Sequence, residues 1–286
     1  MVNIGFIGTG MMGNRMARNL IKADFQVSVF DINKEAYQDL IKMGASAPAT
    51  IADLTSRSDI LISMVNDDKA TVDVFMGEKG VIQGVTQSKK AIVMSTISPN
   101  TIRKIAEQIE KMAFLDAPVS GGPIRAENAT LSIMVSGDFS HYENCSNVLK
   151  AMGNNVYYVG SLGSAITIKL INNILGLGNL LMTIEEMNLA RKAGMDLEKL
   201  AEVVNVSSGS NFYLSDWAES KKAIQFLTSD PANLESFLQT YIKDIKLAET
   251  FAAELGFTAP VLRMIKDAVT KIETEKYRQQ MMNLIM

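Results

Sequence analysis

The chain contains almost no cysteine or histidine, and its charge is close to balanced. Its 286 residues include one cysteine, Cys145, and one histidine, His141. A lone cysteine cannot form a disulfide within the chain, and two such residues cannot complete a closed zinc site. We therefore expect no metal centre and a reducing, cytoplasmic compartment. A net charge of −3 provides no basic surface for nucleic acid.

The start of the sequence also lacks an export pattern. It opens as "MVNIGFIGTG", directly in a strand pattern, without a basic segment followed by a cleavable apolar one. The run "SAITIKLINNILGLGNLLM" at 164–182 approaches the length of a membrane span. Lys169 and the asparagines beside it would be costly in lipid, so we expect a long helix buried inside the protein and no membrane partner.

Up to about residue 160, short β-rich runs alternate with stretches of helical spacing. The strand candidates are 2–8, 26–30, 59–65 and 91–95, and several are continuously apolar. This pattern is typical of a parallel sheet with helices on both faces. Ser98 followed by Pro99 predicts a helix start, because serine caps a helix and proline suits its first turn.

From Gly163 onward the pattern is helical. The predicted fold is therefore α/β, with a Rossmann-type doubly wound sheet over 1–162 followed by an all-helical C-terminal domain over 163–286. A long connecting helix is expected from about residue 164. A chain of this length has room for two such domains.

The first predicted turn carries a G-x-G-x-x-G spacing. Gly8, Gly10 and Gly13 follow a strand and open a helix. In that context they allow a tight turn, close approach of a pyrophosphate and close packing of helix on strand. Asp31 ends the next strand, where an acid accepts hydrogen bonds from ribose hydroxyls and repels a 2′-phosphate, which favours NAD. The alternative is that Asp31 only caps the following helix.

Two further segments have candidate chemistry. Ser120, Gly121 and Gly122 form a predicted loop whose backbone N–H groups and hydroxyl suit a carboxylate, although a plain surface turn has the same composition. Lys169 lies early in the connecting helix with Asn173 on the same face. The helix dipole there favours a neutral amine. Alternatively, the lysine stem lies on the apolar surface while its ammonium reaches water.

The chain resembles the β-hydroxyacid dehydrogenase family, which includes 3-hydroxyisobutyrate dehydrogenases and is related to 6-phosphogluconate dehydrogenase. The resemblance rests on four segments that occur in order: "GFIGTGMMGNRMARNL" at 5–20, "DAPVSGGPIRAENATLSIMVSG" at 116–137, "GSLGSAITIKLINN" at 160–173 and "KDIKLAETFAAELGFTAP" at 243–260. It implies a Rossmann-type cofactor domain, NAD or NADP as cofactor, and a helical domain that helps to form a homodimer or homotetramer.

The resemblance also implies roles for individual residues. Lys169 is the expected catalytic acid/base and Asn173 the substrate-orienting amide, with Ser120, Gly121 and Gly122 anchoring the substrate carboxylate. The expected cofactor contacts are Gly8, Gly10, Met11, Met12, Gly13, Asp31, Val65, Asn66, Thr96 and Lys243. Asp244 is expected to support the same site. The implied reaction interconverts a small β-hydroxy acid and its semialdehyde or keto acid.

The sequence departs from the family pattern at several positions. Arg125 stands where a small residue is usual, and either binds a second acidic group of the substrate or is solvated. Asn66 occupies a position where proline is frequent, and the usual tail rich in glycine and aspartate is missing. Phe212 is a candidate substrate contact, whereas Tyr213 and Trp217 have the pattern of core residues.

Other functions remain open from the sequence. An NADPH-preferring reductase of tartronate or succinic semialdehyde has the same motifs. Imine reductases generally lack the lysine, and a sugar-acid phosphate dehydrogenase needs a phosphate-binding cluster that is not evident here. A cofactor-binding scaffold without catalysis is a further alternative, although such proteins tend to lose the lysine that this chain keeps as Lys169.

Overall fold

The computed structural model describes residues 2–85 and 89–285. The chain divides into two compact units, Met1–Lys169 and Leu170–Met286. The first unit is a mixed α/β domain built on a largely parallel sheet, and the second is helical. The predicted fold class is therefore confirmed, while the boundary between 162 and 163 stays a prediction.

The first unit contains the strands of the described residues. Their bounds are β1 Asn3–Ile7, β2 Gln26–Phe30, β3 Ile60–Ser63, β4 Lys89–Val93, β5 Met112–Asp116, β6 Val119–Ser120, β7 Ser132–Gly137 and β8 Asn155–Tyr158. The spatial order is β2-β1-β3-β4-β5-β7-β6, with β8 paired to β7. The strands from β2 to β5 pair in parallel, and β7 is antiparallel to β5 and β6. The parallel strands therefore end at one common edge.

Helices connect these strands in the first unit. Their bounds are α1 Met11–Lys22, α2 Gln38–Lys42, α3 Ile51–Arg57, α4 Asp68–Met76, α5 Val81–Gly84, α6 Pro99–Gln108, α7 Gly122–Glu127 and α8 Phe139–Lys150, with a 3₁₀ turn at Lys34–Tyr37. The Ser98 side chain accepts a hydrogen bond from the Asn100 N–H, and Pro99 is the first residue of α6. The helix start predicted at Ser98 is confirmed.

The remaining helices follow a long connector. Their bounds are α9 Ser164–Lys192, α10 Leu197–Asn205, α11 Phe212–Ser215, α12 Trp217–Ser229, α13 Pro231–Glu254, α14 Pro260–Thr270 and α15 Thr274–Met282. The start predicted near residue 164 is confirmed. Aspartates begin three of these helices: the side chains of Asp196, Asp216 and Asp230 accept backbone N–H groups at the first turns of α10, α12 and α13.

The bounds of one strand differ from their prediction. The predicted run at 91–95 is displaced, since β4 begins at Lys89 and ends at Val93. The apolar pattern does not predict a strand start at Lys89, because lysine is rarely buried in a strand. Its ammonium donates instead to the backbone carbonyls of Ser56, at 3.2 Å, and Ser58, at 2.5 Å, so its charge is compensated inside the fold. Burial lowers the pKa of this lysine, against the opposing attraction of Asp59.

Cys145 lies on the buried side of helix α8. The residue is fully buried in the core of the first unit, among apolar residues of the sheet. Burial raises the pKa of its thiol to about 11, with a smaller opposing effect of Lys90. A thiol in that state is a packing group and not a nucleophile.

Helix α9 is less buried than the sequence pattern predicts. Among the described residues, α9 is the one helix that is both long enough and apolar enough to cross a membrane. Its most apolar stretch has a mean hydropathy of 1.4, and 33% of that stretch is buried. Ile168, Ile171, Leu175, Met182 and Leu189 all expose more than a third of their surface in the single chain. Their spacings of three, four, seven and seven residues place them along one face of the helix.

Candidate functional site

The three glycines of the glycine loop, at the turn from β1 into α1, differ in the space that surrounds them. Gly8 has a φ of +90°, and an added Cβ would lie 2.3 Å from the Met64 carbonyl oxygen. At Gly13 an added Cβ would lie 1.9 Å from the Gly8 carbonyl oxygen. At Gly10, by contrast, it would meet no protein atom within 4 Å. The backbone is thus closed on itself at Gly8 and Gly13 and open at Gly10.

Asp31 is tied directly to this loop. It follows β2, and its Oδ2 accepts the Thr9 N–H at 2.7 Å while its Oδ1 accepts the Asn33 N–H at 2.8 Å. The following 3₁₀ turn is capped by Asn33, whose side chain accepts the Glu35 N–H. The structure therefore assigns the cap to Asn33, and leaves Asp31 as a carboxylate held at the edge of the sheet beside the glycine loop.

The other candidate cofactor residues of the first unit follow the ends of neighbouring strands. Met11 and Met12 begin α1, and Met11 is exposed. Val65 and Asn66 come after β3, and the Val65 N–H donates to the Ser95 hydroxyl at 2.8 Å. Thr96 comes after β4. All of these positions belong to the carboxyl edge of the sheet, where ligands of open α/β folds bind.

The loop after β5 contains the predicted carboxylate site. Ser120 ends the short strand β6 and pairs with Ser132, while Gly121 and Gly122 have φ values of +133° and +67°. Both glycines therefore adopt backbone conformations that residues with a Cβ avoid. An added Cβ at Gly121 would lie 2.6 Å from Cδ of Arg125, so the exposed arginine lies with its aliphatic stem over this loop.

Helix α9 begins at a buried carboxylate that the sequence analysis did not single out. Asp116, the last residue of β5, is fully buried and accepts the Gly163 N–H at 2.8 Å and the Ile166 N–H at 2.9 Å. The Ser136 hydroxyl donates to the same carboxylate and accepts the Ala165 N–H at 3.0 Å. Burial raises the pKa of Asp116, and these hydrogen bonds oppose the rise. The available signal was an aspartate at the end of an apolar strand.

Lys169 lies in the second turn of α9, and Asn173 follows one turn later. The Asn173 side chain, 9% exposed, donates through Nδ2 to Oδ2 of Asp244 at 2.5 Å. Asp244 is fully buried in the second unit, and its Oδ1 lies 3.2 Å from the Lys243 ammonium. This contact orients the Asn173 amide, because a carboxylate accepts only from the NH₂ end.

The three aromatic residues near 212 separate into two environments. Trp217 belongs to the core of the second unit, and Tyr213 packs against that core. Burial raises the pKa of Tyr213, whose hydroxyl is paired with that of Tyr241. Phe212 begins α11, is 68% exposed and makes an edge-on contact with the Tyr213 ring at 5.4 Å. Of the three, Phe212 therefore presents a ring to solvent.

The first unit fits a dinucleotide. Gly10 leaves open space at the N-terminus of the twelve-residue helix α1, where a pyrophosphate is favoured by free N–H groups and the helix dipole. Asp31 places a carboxylate at the end of β2, where a ribose is held in this type of fold. The residues present therefore suit NAD(P).

Comparisons with known proteins agree with this geometry. Residues 3–160 match the family described as NAD binding domain of 6-phosphogluconate dehydrogenase. Residues 163–285 match the family described as NAD-binding of NADP-dependent 3-hydroxyisobutyrate dehydrogenase. The two matches follow one another along nearly the whole chain.

Relatives and solved structures point to the same family. The mitochondrial 3-hydroxyisobutyrate dehydrogenase of Rattus norvegicus is 35% identical over 208 residues, 72% of this chain and 62% of that protein, so the match spans less than two thirds of the rat enzyme. An uncharacterized oxidoreductase of Bacillus subtilis (strain 168) is 32% identical over 276 residues, 95% of this chain and 93% of that protein. The structure of Mycobacterium tuberculosis 3-hydroxyisobutyrate dehydrogenase with L-serine has a TM-score of 0.84 at 26% identity and covers 100% of both chains. The chain therefore belongs to the β-hydroxyacid dehydrogenase family of NAD(P)-dependent oxidoreductases.

Proposed function

We propose that the protein transfers hydride between NAD and a small β-hydroxy acid, interconverting it with its semialdehyde or keto acid, as a 3-hydroxyisobutyrate dehydrogenase does. The observation that carries the proposal is the placement of Lys169 and Asn173 one turn apart on α9, with the Asn173 amide held by the buried Asp244. A lysine amine and a fixed amide are the groups needed to move a proton at a hydroxyl and to orient its oxygen.

Lys169 is the proposed acid/base. In the oxidative direction its neutral amine takes the proton from the substrate hydroxyl, and in the reductive direction its ammonium polarises the carbonyl oxygen and returns the proton. The nicotinamide, when bound, supplies the hydride acceptor or donor. Asn173 donates its second amide N–H to the same substrate oxygen, since its first is engaged by Asp244.

The other end of the substrate is a carboxylate in this proposal. The Ser120 hydroxyl and the backbone N–H groups of Gly121 and Gly122 bind it, and holding both ends fixes the carbon that exchanges hydride. The structure of the Mycobacterium tuberculosis relative with L-serine supports this substrate class, because serine is a carboxylate with a hydroxyl on its β-carbon. Phe212 stays a proposed apolar contact of the substrate, since its ring is exposed.

NAD is the proposed cofactor. Asp31 is held by the N–H groups of Thr9 and Asn33, so its carboxylate is prepared to accept ribose hydroxyls and repels the 2′-phosphate of NADP. Met11, Met12, Val65, Asn66, Thr96 and Lys243 complete the proposed contacts. We also propose a domain boundary between 162 and 163, which lies between the two family matches. We propose the cytoplasm as the location of the protein, in keeping with its single, buried cysteine.

A homodimer or homotetramer is proposed as the working form. The support is the exposed apolar face of α9, which a second copy would remove from water. Light scattering of the purified protein tests this, and a monomer mass at micromolar concentration would overturn it.

The activity is tested with a panel of β-hydroxy acids and semialdehydes in the presence of NAD(H) or NADP(H). Turnover is monitored by the absorbance of the nicotinamide. We expect turnover of a small β-hydroxy acid with a higher kcat/KM for NAD than for NADP. Asp31→Asn, which keeps the side-chain shape and removes the charge, is expected to narrow that preference. A higher kcat/KM for NADPH with tartronate or succinic semialdehyde would instead support the reductase. Cofactor binding without turnover of any compound in the panel would support the alternative of a cofactor-binding scaffold without catalysis.

A further inference from the structure

The start of α9 is held by side chains that come from distant strands. The first N–H groups of a helix have no partner within the helix and need acceptors from elsewhere. Here the N–H groups of Gly163 and Ile166 donate to the Asp116 carboxylate, and that of Ala165 donates to the Ser136 hydroxyl. Asp116 lies 47 residues before Gly163, and Ser136 lies 29 residues before Ala165. The cap is therefore a tertiary contact and not a local turn.

The Asp116 cap connects the loop that begins at Ser120 with Lys169, and both have a role in the proposed function. Asp116 is the last residue of β5, and the loop that begins at Ser120 starts four residues later. Ile166 is three residues before Lys169 in the same helix. A rigid first turn therefore transmits the position of the Asp116 carboxylate to Lys169 within one helical turn.

The chemistry of the cap is specific to a carboxylate. Asp116 accepts hydrogen bonds at both oxygens, from two backbone N–H groups and one hydroxyl, and has no exposed surface. An asparagine in its place keeps one accepting oxygen and turns an NH₂ group toward a backbone N–H. Two donors then face each other in a buried site, which displaces the helix start.

We propose that Asp116, assisted by Ser136, is a positioning residue that sets the Lys169 amine at the distance needed for proton transfer. The proposal rests on the function proposed above, because it assigns Lys169 as the acid/base. A cap that only stabilised the helix would change the amount of folded enzyme and not the turnover of each folded molecule. The turnover of each folded molecule therefore distinguishes a positioning residue from a structural cap.

The test compares Asp116→Asn and Ser136→Ala with the matched control Asp196→Asn. Asp196 caps α10 by accepting the Lys199 N–H at 3.0 Å, so the control removes one helix-capping charge from a different helix. Turnover is normalised to sites that bind NADH. We expect Asp116→Asn to lower kcat roughly tenfold to a hundredfold, with the KM for the acid and the NADH affinity nearly unchanged. The control keeps the kcat of the wild type.

A double-mutant cycle shows whether the effect passes through Lys169. If it does, adding Asp116→Asn to Lys169→Ala lowers the residual kcat by less than about threefold, because the positioned group is already gone. A full loss in that background, or a wild-type kcat in Asp116→Asn, overturns the proposal. Should Asp116→Asn fail to fold, Ser136→Ala is expected to show the same pattern with a smaller loss. Wild-type activity of Lys169→Ala would instead refute the proposed role of Lys169 as the acid/base, and with it the premise of this inference.

Discussion

Lys169→Ala is expected to lower kcat about 10²–10⁴-fold, the usual contribution of a positioned acid/base. The physical reason is that hydride leaves a carbon readily only when the proton on its oxygen has an acceptor, and the variant removes that amine. NADH binding is expected to remain close to that of the wild type, because the glycine loop and Asp31 belong to other elements of the first unit. The measurement is kcat by nicotinamide absorbance, beside NADH affinity by fluorescence titration.

Lys192→Ala is the matched control, because this exposed lysine lies in the last turn of the same helix. It is expected to keep the wild-type kcat. Added primary amines, such as ethylamine, are expected to restore part of the activity of Lys169→Ala by supplying the missing base. Activity of Lys169→Ala near that of the wild type, without added amine, would exclude Lys169 as the acid/base and leave the family assignment unaffected.

Alanine substitutions at Gly10 and Gly13 are expected to separate cofactor binding from folding. At Gly10 the φ of −64° suits alanine, and its methyl group meets no protein atom within 4 Å, so the fold is kept. That methyl group occupies the space proposed for the pyrophosphate. We expect the Kd for NADH to rise at least about tenfold, a loss of about 1.4 kcal/mol, with the free energy of unfolding nearly unchanged. Titration of NADH and urea denaturation measure the two quantities.

At Gly13 the effect on folding is expected to dominate. The added Cβ would lie 1.9 Å from the Gly8 carbonyl oxygen, a backbone atom that cannot move without shifting the β1–α1 turn. Overpacking of this kind costs about 1–3 kcal/mol of stability. Gly44→Ala supplies a contrast, because Gly44 has open space but a φ of +101°, so its cost is conformational and NADH binding is kept. Unchanged NADH affinity in Gly10→Ala would show that the pyrophosphate does not approach the backbone there.

The sequence by itself determined the parts of this protein that depend on local spacing. Strand–helix alternation predicts the parallel sheet, Ser98 and Pro99 predict the start of α6, and the apolar run from 164 predicts α9. These features are readable because period, capping and glycine geometry act over a few residues. The family is also readable, since its four motifs occur in order. Its residue roles stay predictions that the experiments above address.

Only the tertiary structure decided which side chains meet across long stretches of chain. The carboxylate of Asp116 caps a helix 47 residues later, and Asn173 is oriented by Asp244, 71 residues away. Burial of Lys89 and exposure of Phe212 were decided in the same way. The physical reason is that a buried polar group is stable only with its partners, and those partners are brought together by packing of the folded chain and not by spacing along it.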